Sequence, residues 1–268
     1  MRKKVVVNTG DFEFKYTYDK TVPSDLDNNH CHDNYEMLFV VSGEGKYIVE
    51  GTYFDIKPVT LMIIRPFEFH CVKLNPGVPY ERYVVNFSLT DLDEVTANKF
   101  RELVDGEENS SGRYFAADLV PREVFAIFDR FEFALMLPEI VRRDYLKLLL
   151  AEIILFLSVN EGEYMAHNEE ELGAKVIRYL NENLTRNISL DKLARRFFVS
   201  KFHLCRAFKK HNGISVHGYI NQKRVIYAKQ LIEAGETASG AAYRVGFGDY
   251  SSFYRAYVKL LGKSPTAD

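Results

Sequence analysis

The first stretch of the chain, to about residue 90, alternates short apolar runs with turn chemistry. Segments rich in Val, Ile, Tyr and Phe ("EMLFVV", "KYIVE", "TYFDI", "TLMIIR", "FHCVKL", "RYVVNFSL") are separated by "SGEG", "EGT" and "NPGVP". Many short strands at regular spacing predict a small barrel or sandwich. After the polar passage "DGEENSSGR" the period becomes helical. Pro121 and Pro138 each suit a first helical position, where the missing N–H costs nothing. The second of these helices, about 138 to 158, begins with the charged turn Arg142, Arg143, Asp144 and ends apolar almost all round in "LLLAEIILFL". A helix lying on a barrel needs one buried stripe, so apolar residues on both sides imply a second covering surface, for which a partner subunit is the obvious candidate.

Residues 161–171, "EGEYMAHNEEE", are acidic, polar and without apolar period, and read as a linker between a domain at 1–160 and one at 172–268. Everything beyond them is helical. Ser189 is placed to cap a helix whose apolar positions Leu190, Leu193, Ala194 and Phe197 fall at i, i+3, i+4 and i+7. Ser200 caps the next, with Leu204, Ala207 and Phe208 inward and Gly213 where a left-handed C-terminal residue belongs. Ser215 opens a long helix that closes at Gly235. A second pair follows, Thr237 to Val245 and then, capped by Asp249, Tyr250 to Leu261, ended by Gly262.

Charge changes the picture. The 268 residues carry a net charge of only −2, with 35 Lys and Arg against 37 Asp and Glu. From residue 172 onward, however, there are 17 basic against 6 acidic side chains, net +11, leaving 18 against 31 in the first 171, net −13. A basic half joined to an acidic one points to a nucleic-acid reader beside a domain kept off the phosphate backbone. Nothing in "MRKKVVVNTG" resembles the apolar core of a signal peptide, and the most apolar window, Leu146 to Val159, contains Lys147 and Glu152 and is shorter than the roughly 20 residues a membrane span needs. Cys31, Cys71 and Cys205 are scattered and odd in number, which suits a reducing cytoplasm.

The basic half repeats itself. "LCRAFKKHNGIS", 204–215, returns as "FYRAYVKLLGKS", 253–264. Once the inward residues are assigned, Phe202, Cys205, Arg206 and Lys209 form one exposed face of the first copy, and Ser251, Tyr254, Arg255 and Val258 the matching face of the second. Each copy is the second member of a short-helix, tight-turn, helix unit, the geometry that lays a recognition helix in the major groove. Arg206 and Arg255 can each bond guanine O6 and N7, worth about 1 to 3 kcal/mol of discrimination. The helix between the units, about 27 Å long at 1.5 Å per residue, has the size to set them one DNA turn apart, about 34 Å.

These residues resemble the AraC family of transcription regulators. The resemblance covers about 172 to 265 and rests on "ISLDKLARRFFVSKFHLCRAFKKHNGISVHGYINQKRVIYAKQLI" and "AAYRVGFGDYSSFYRAYVKLLGKSP", with Gly246, Phe247, Phe253, Arg255, Gly262 and Pro265 at the signature positions. It implies that Phe202, Cys205 and Arg206, with Tyr250, Ser251, Tyr254 and Arg255, face the bases. Lys201, Lys209 and Lys210 complete the expected DNA-binding set. Where the family carries two isoleucines in the first helix of the second unit, this chain has Ala238 and Ala241 beside Gly240. Smaller side chains leave space costing about 2 to 5 kcal/mol per lost aliphatic if nothing fills it, and an interior Gly adds about 1.

In the acidic half, "HCHDNYEMLFVVSG" puts His30, His32 and Glu36 at even positions, which share a face of an extended strand, with His70 further on in "PFEFH". Imidazole and carboxylate suit Fe, Mn, Ni or Zn. The spacing resembles the first cupin motif; the second is less faithful, with Glu68 where glycine is usual. Cupin barrels fused to this DNA-binding module resemble effector-binding domains whose histidines line a pocket without metal. Three uses stay open: a pocket for a small polar molecule built from His30, His32, Glu36, His70 and Arg82; a metal site on the first four; or polar side chains merely satisfied at the barrel mouth. The fold expected is therefore multidomain: an all-β cupin-like barrel with dimerisation helices, then an all-α double helix-turn-helix domain. The function expected is a cytoplasmic, ligand-responsive transcription regulator, an activator by resemblance, binding double-stranded DNA and a sugar or similar metabolite. It is expected to be a homodimer through helices at about 121–158, with RNA polymerase as a further partner, and without cofactor or catalysis. The competing reading is a metal-dependent cupin oxygenase or isomerase with a helical appendage.

Overall fold

Strict alternation decides the architecture of the first half. In "FEFKYTYD" the residues Phe12, Phe14 and Tyr16 take one face and Lys15, Thr17 and Asp19 the other. In the computed structural model, which describes residues 2–9, 12–20, 29–104, 113–159 and 171–266, this segment is a strand of a six-stranded antiparallel sheet. The strands are β1 (Arg2–Thr9), β2 (Phe12–Asp19), β3 (Tyr35–Ser42), β4 (Gly45–Val49), β5 (Thr52–Ile56), β6 (Thr60–Ile64), β7 (His70–Leu74), β8 (Tyr80–Phe87) and β9 (Arg113–Phe115). The large sheet runs β1-β2-β8-β3-β6-β9 and a smaller one β5-β4-β7. Together they make the cupin-like barrel expected of this half.

The two faces of the large sheet are dressed differently. Phe14, Met37, Phe39, Leu61, Ile63, Tyr83, Val85 and Phe87 form the outer face. On it pack α1 (Glu94–Val104), α2 (Arg122–Ala134) and α3 (Glu139–Ser158), through Phe100, Phe128, Phe131, Leu150 and Ile154 among others. Phe39 stacks on Phe128 with ring centroids 4.5 Å apart, and Phe14 on Phe131 at 4.4 Å. Leu38, Val40, Met62, Ile64 and Val84 form the inner face and meet Tyr47, Val49, Phe54, Ile56 and Val72 of the small sheet. The register that buries Leu38 and Val84 between the sheets also turns Glu36, Arg82 and Asn86 inward.

Helix α1 was not anticipated. Asp93 opens it by accepting the N–H groups of Val95 and Thr96, and it buries Ala97, Phe100, Leu103 and Val104. Its presence alters the account of α3. Leu146, Leu149, Leu150, Ile153, Ile154 and Leu157 are all buried within the chain, because α1 and α2 both pack on α3. Much of the second covering surface is thus internal. Of its large apolar residues, Ile140, Val141, Leu148 and Leu155 stay exposed, the last three spaced seven residues apart. Pro121 and Pro138 are N-caps rather than first helical residues: their ψ angles of 142° and 144° are extended, although φ is already helical.

The chain divides into Met1–Asn168 and Glu169–Asp268. The expected linker, 161–171, lies outside the described residues except for Glu171. The second unit holds α4 (Leu172–Glu182), α5 (Leu190–Arg196), α6 (Lys201–Asn212), α7 (Val216–Glu233), α8 (Ala238–Arg244) and α9 (Tyr250–Leu261). Ser189, Ser200, Ser215, Thr237 and Asp249 cap α5 to α9, each side chain accepting an N–H of the first turn. Gly213 and Gly262 end α6 and α9 with φ of 75° and 70°. Around α8, Ala241 and Ala242 are fully buried in one cluster with Val225, Phe247, Phe253 and Tyr257. Gly240 is not interior to the helix: it sits in the first turn, exposed, and its N–H is the one Thr237 caps. Among the described residues no helix is long and apolar enough to cross a membrane.

Candidate nucleic-acid interface and effector pocket

Helix α6 buries Leu204 and Phe208, and that choice of inner face fixes the outer one. Lys201, Phe202, Arg206, Lys209 and Lys210 are exposed, Phe202 by 76%, and Cys205 is half-buried between them. Lys201 pairs with Asp191 at 2.9 Å. Arg206, Lys209 and Lys210 have no carboxylate partner among the described residues, which leaves three cations available to phosphates or base edges. On α9, Phe253 and Tyr257 turn inward, while Ser251, Tyr254 and Arg255 are exposed. Arg255 donates to the Ser252 hydroxyl at 3.4 Å and lies within electrostatic reach of Asp249. Tyr250 differs from the rest of the set: it is half-buried with its ring 5.7 Å from that of Phe253.

Two features of this half escaped the sequence reading. In the turn of the first unit, Phe198 has φ of 54° and is 95% exposed. Its counterpart by backbone hydrogen bonding in the second unit is Gly246, φ 99°. The other is Arg224 of α7. Its guanidinium donates from Nε to the Leu184 carbonyl at 3.0 Å, from Nη1 to Gly246 at 2.7 Å and from Nη2 to Arg186 at 2.8 Å. A Cβ at position 246 would lie 2.9 Å from that guanidinium and 3.0 Å from the Thr185 carbonyl, so glycine is needed for clearance as well as for φ. A guanidinium inside an interior run of basic residues carries no sign of this role in the sequence.

Between the sheets of the first unit is a cavity of about 210 Å³, lined by Lys15, His30, His32, Glu36, Leu38, Tyr47, Cys71, Val72, Tyr80, Arg82, Val84 and Asn86. Four of the five expected pocket residues line it; His70 is 1% exposed and ring-to-ring with His30 at 4.4 Å. Arg82 is already engaged. It donates to Asp19 at 2.9 Å and lies 4.3 Å over the Tyr80 ring. Lys15, Tyr47, Tyr80 and Asn86 were missed, although the polar positions of "FEFKYTYD" and "YERYVVNF" fall at the even spacing that marks one face. Buried polar atoms left without a hydrogen-bond partner gather in this region: Thr17 Oγ1, His70 Nε2, Tyr80 Oη and Asn86 Oδ1.

The centre of the polar wall is Glu36. Its Oε2 is 3.3 Å from His32 Nε2, and its Oε1 accepts from the Tyr47 hydroxyl at 3.0 Å and lies 3.9 Å from His70 Nε2. Burial alone would raise the Glu36 pKa, but the His32 hydrogen bond and the nearby imidazoles bring it down to about 2. Burial pushes His70 down to about 4. At His32 burial acts the same way, yet the Glu36 bond outweighs it and raises the pKa. Candidate ligand atoms of His32, Glu36 and His70 all lie within 4.8 Å of one another. His30 stands outside this group. Glu68, unexpected in place of glycine, has a structural role: Arg65 donates to it from Nε at 2.9 Å, from Nη2 at 2.6 Å and from its backbone at 2.9 Å, and the Glu68 carbonyl receives His70 Nδ1 at 2.8 Å.

Comparison with known proteins follows the same division. A model described as an AraC-like ligand binding domain matches residues 16–132, and one described as a helix-turn-helix domain matches 193–267. The chain is 25% identical over 248 residues to the HTH-type transcriptional activator RhaS of Salmonella schwarzengrund, covering 88% of this chain and 85% of that protein. It is equally similar to RhaS of Citrobacter koseri, at 25% over 248 residues. Among solved structures, ToxT of Vibrio cholerae matches at 14% identity and a TM-score of 0.38, over 96% of this chain and 97% of that one.

Proposed function

The chain belongs to the AraC family of transcription regulators, with a ligand-binding and a helix-turn-helix domain, and on that footing we propose that it activates transcription when a small hydroxylated metabolite fills its inter-sheet cavity. The observation that carries the effector class is the set of buried polar atoms without partners, Thr17 Oγ1, His70 Nε2, Tyr80 Oη and Asn86 Oδ1. A buried donor or acceptor left unsatisfied costs about 1 to 3 kcal/mol, and hydroxyls of a ligand serve both donors and acceptors. A volume of about 210 Å³ suits a molecule of monosaccharide size, and Glu36, Lys15 and the Arg82–Asp19 pair supply charge for charge-assisted bonds. His30, His32, Glu36, His70 and Arg82 are the proposed contacts, extended by Lys15, Tyr80 and Asn86.

DNA is read by Arg206 and Arg255 against base edges, with Phe202, Cys205, Ser251 and Tyr254 beside them. Lys201, Lys209 and Lys210 meet phosphates. Tyr250, half-buried, supports Tyr254. The exposed stripe Val141, Leu148 and Leu155 on α3 supports a homodimer, since seven-residue spacing is the period of a helix–helix seam. RNA polymerase is the further partner an activator requires, and the cytoplasm the compartment where its DNA lies. A thermal-shift screen of sugars and related polyols tests the effector: a stabilising compound should also change the gel shift of the protein on its own upstream DNA, and the gain should vanish in Tyr80→Phe with Asn86→Leu. A screen in which only apolar compounds stabilise would overturn the proposed class. The enzyme reading requires turnover and no DNA shift from the same preparation.

A further inference from the structure

Resting on the DNA reading above, we propose that Phe198, in the turn of the first helix-turn-helix unit, packs its ring on a deoxyribose at the wall of the groove that α6 enters. The backbone at the end of α5 is the starting point. The Phe198 N–H donates to the Arg195 carbonyl at 3.2 Å and the Val199 N–H to the Ala194 carbonyl at 3.0 Å. This pair of bonds closes a helix through one left-handed residue, usually glycine, and here that residue is Phe198, φ 54°. Helix α8 closes with the same pair, from Gly246 to Tyr243 and from Phe247 to Ala242, both at 3.0 Å, and does place glycine there, φ 99°.

Nothing inside the fold compensates a phenylalanine at this position. A Cβ is strained at positive φ where glycine is not. The ring is 95% exposed, so it recovers no burial in exchange. A residue that lowers stability on both counts is explained by what it meets outside the chain.

The surroundings of Phe198 select the partner. The stretch 195–201, "RRFFVSK", holds three cations and no acid. An apolar ring within a cationic rim matches a polyanion whose charges alternate with apolar sugar faces, which is the DNA backbone. The ring is also continuous with the proposed reading face: Ser200 caps α6, then come Lys201 and Phe202, the latter 76% exposed. The first residues of the second helix of such a unit meet base edges. Phe198 precedes Lys201 by three residues, within about 11 Å of it at 3.8 Å per Cα step. That distance sets it beside the groove, where the duplex offers sugar and phosphate.

Because the chain has no tryptophan, Phe198→Trp puts a single indole at the turn. In full-length protein, on DNA that wild type selects from a randomised pool, its emission should shift to the blue and its quenching by acrylamide should fall. Phe198→Gly should raise the melting temperature by about 2 to 4 °C yet weaken binding about fivefold on every sequence alike. The dependence of affinity on salt should stay as in wild type, since no charge is removed, and Phe198→Tyr should bind as wild type does. An indole quenched equally with and without bound DNA overturns the contact and turns the ring toward a protein partner. A glycine variant that binds DNA like wild type, or that melts lower, overturns it as well. Wild type that selects no DNA removes the DNA reading and this contact together; selected DNA with an accessible indole removes the contact alone.

Discussion

Arg206 and Arg255 occupy equivalent positions on two helices, yet their surroundings differ. Arg206 stands beside exposed Phe202 and two lysines without a carboxylate partner among the described residues; Arg255 has the Ser252 hydroxyl and Tyr254. Arg206→Ala should therefore cost about 1 to 3 kcal/mol on the preferred site and relax selection at one base position. Lys210→Ala should weaken all sequences alike and lower the salt slope by about one unit. Affinity selection from a randomised DNA pool, repeated at several salt concentrations, separates the two; identical profiles would count against the assignment. Legibility at this scale followed exposure. The recognition-face residues were readable because an inner face fixed by Leu204 and Phe208 in α6, and by Phe253 and Tyr257 in α9, leaves the opposite positions outside. The ring of pocket residues was half readable: the histidines and Glu36 stand out by type, whereas Lys15, Tyr80 and Asn86 are ordinary strand residues until β2 and β8 are paired across the chain. Arg224 was opaque for the same reason, its three acceptors lying 22 to 40 residues away in sequence.

Helix α8 shows how an element built from small residues is held. Ala241 and Ala242 are fully buried, and the neighbouring rings Phe247, Phe253 and Tyr257 approach one another at 5.4 and 5.3 Å. With aromatic rings this close, Ala241→Leu should overpack the cluster and lower stability by about 1 to 3 kcal/mol in urea unfolding; a gain in stability would instead reveal unfilled volume. Asp249→Ala should cost about 1 kcal/mol by removing the α9 cap, in which Asp249 accepts the Ser252 N–H at 2.7 Å. That carboxyl is held below its ordinary value of 3.8 by the same backbone hydrogen bond. A lowered acid contributes above its ordinary pKa and ceases to as pH falls through the folded value, so the capping gain survives throughout the neutral range. Element existence was legible wherever caps and period agreed, as in α5 to α9. It failed at α1, whose exposed positions are polar enough to read as loop, and at the edge strands β1 and β9, which are recognisable chiefly by the strands they pair with.

At the scale of the molecule, the acidic first half and the basic second half leave the phosphate backbone one docking partner in the chain. Regulation then asks that the effector favour one arrangement of the proposed dimer over another, by no more than its own differential affinity for the two. Leu148→Glu with Leu155→Glu, both on exposed α3 positions, should convert the proposed dimer to monomer in sedimentation while leaving the melting temperature within a few degrees; an unchanged sedimentation coefficient would locate the interface elsewhere. The Arg224 guanidinium has a consequence at this same scale. One flat group bonds the segment leading into α5 and the turn leading into α9, so neither probe can swivel without breaking the other's anchorage. If the two helices read DNA as proposed, the pair acts as a fixed gauge rather than a hinge, and measures a distance along the duplex as strictly as it reads letters. One base pair inserted between the two bases proposed to be read by Arg206 and Arg255 carries the second out of alignment by about a tenth of a turn, and such a site should be refused. Arg224→Lys, which replaces a planar fork with a point charge, should blunt that refusal before it weakens binding to the correct site.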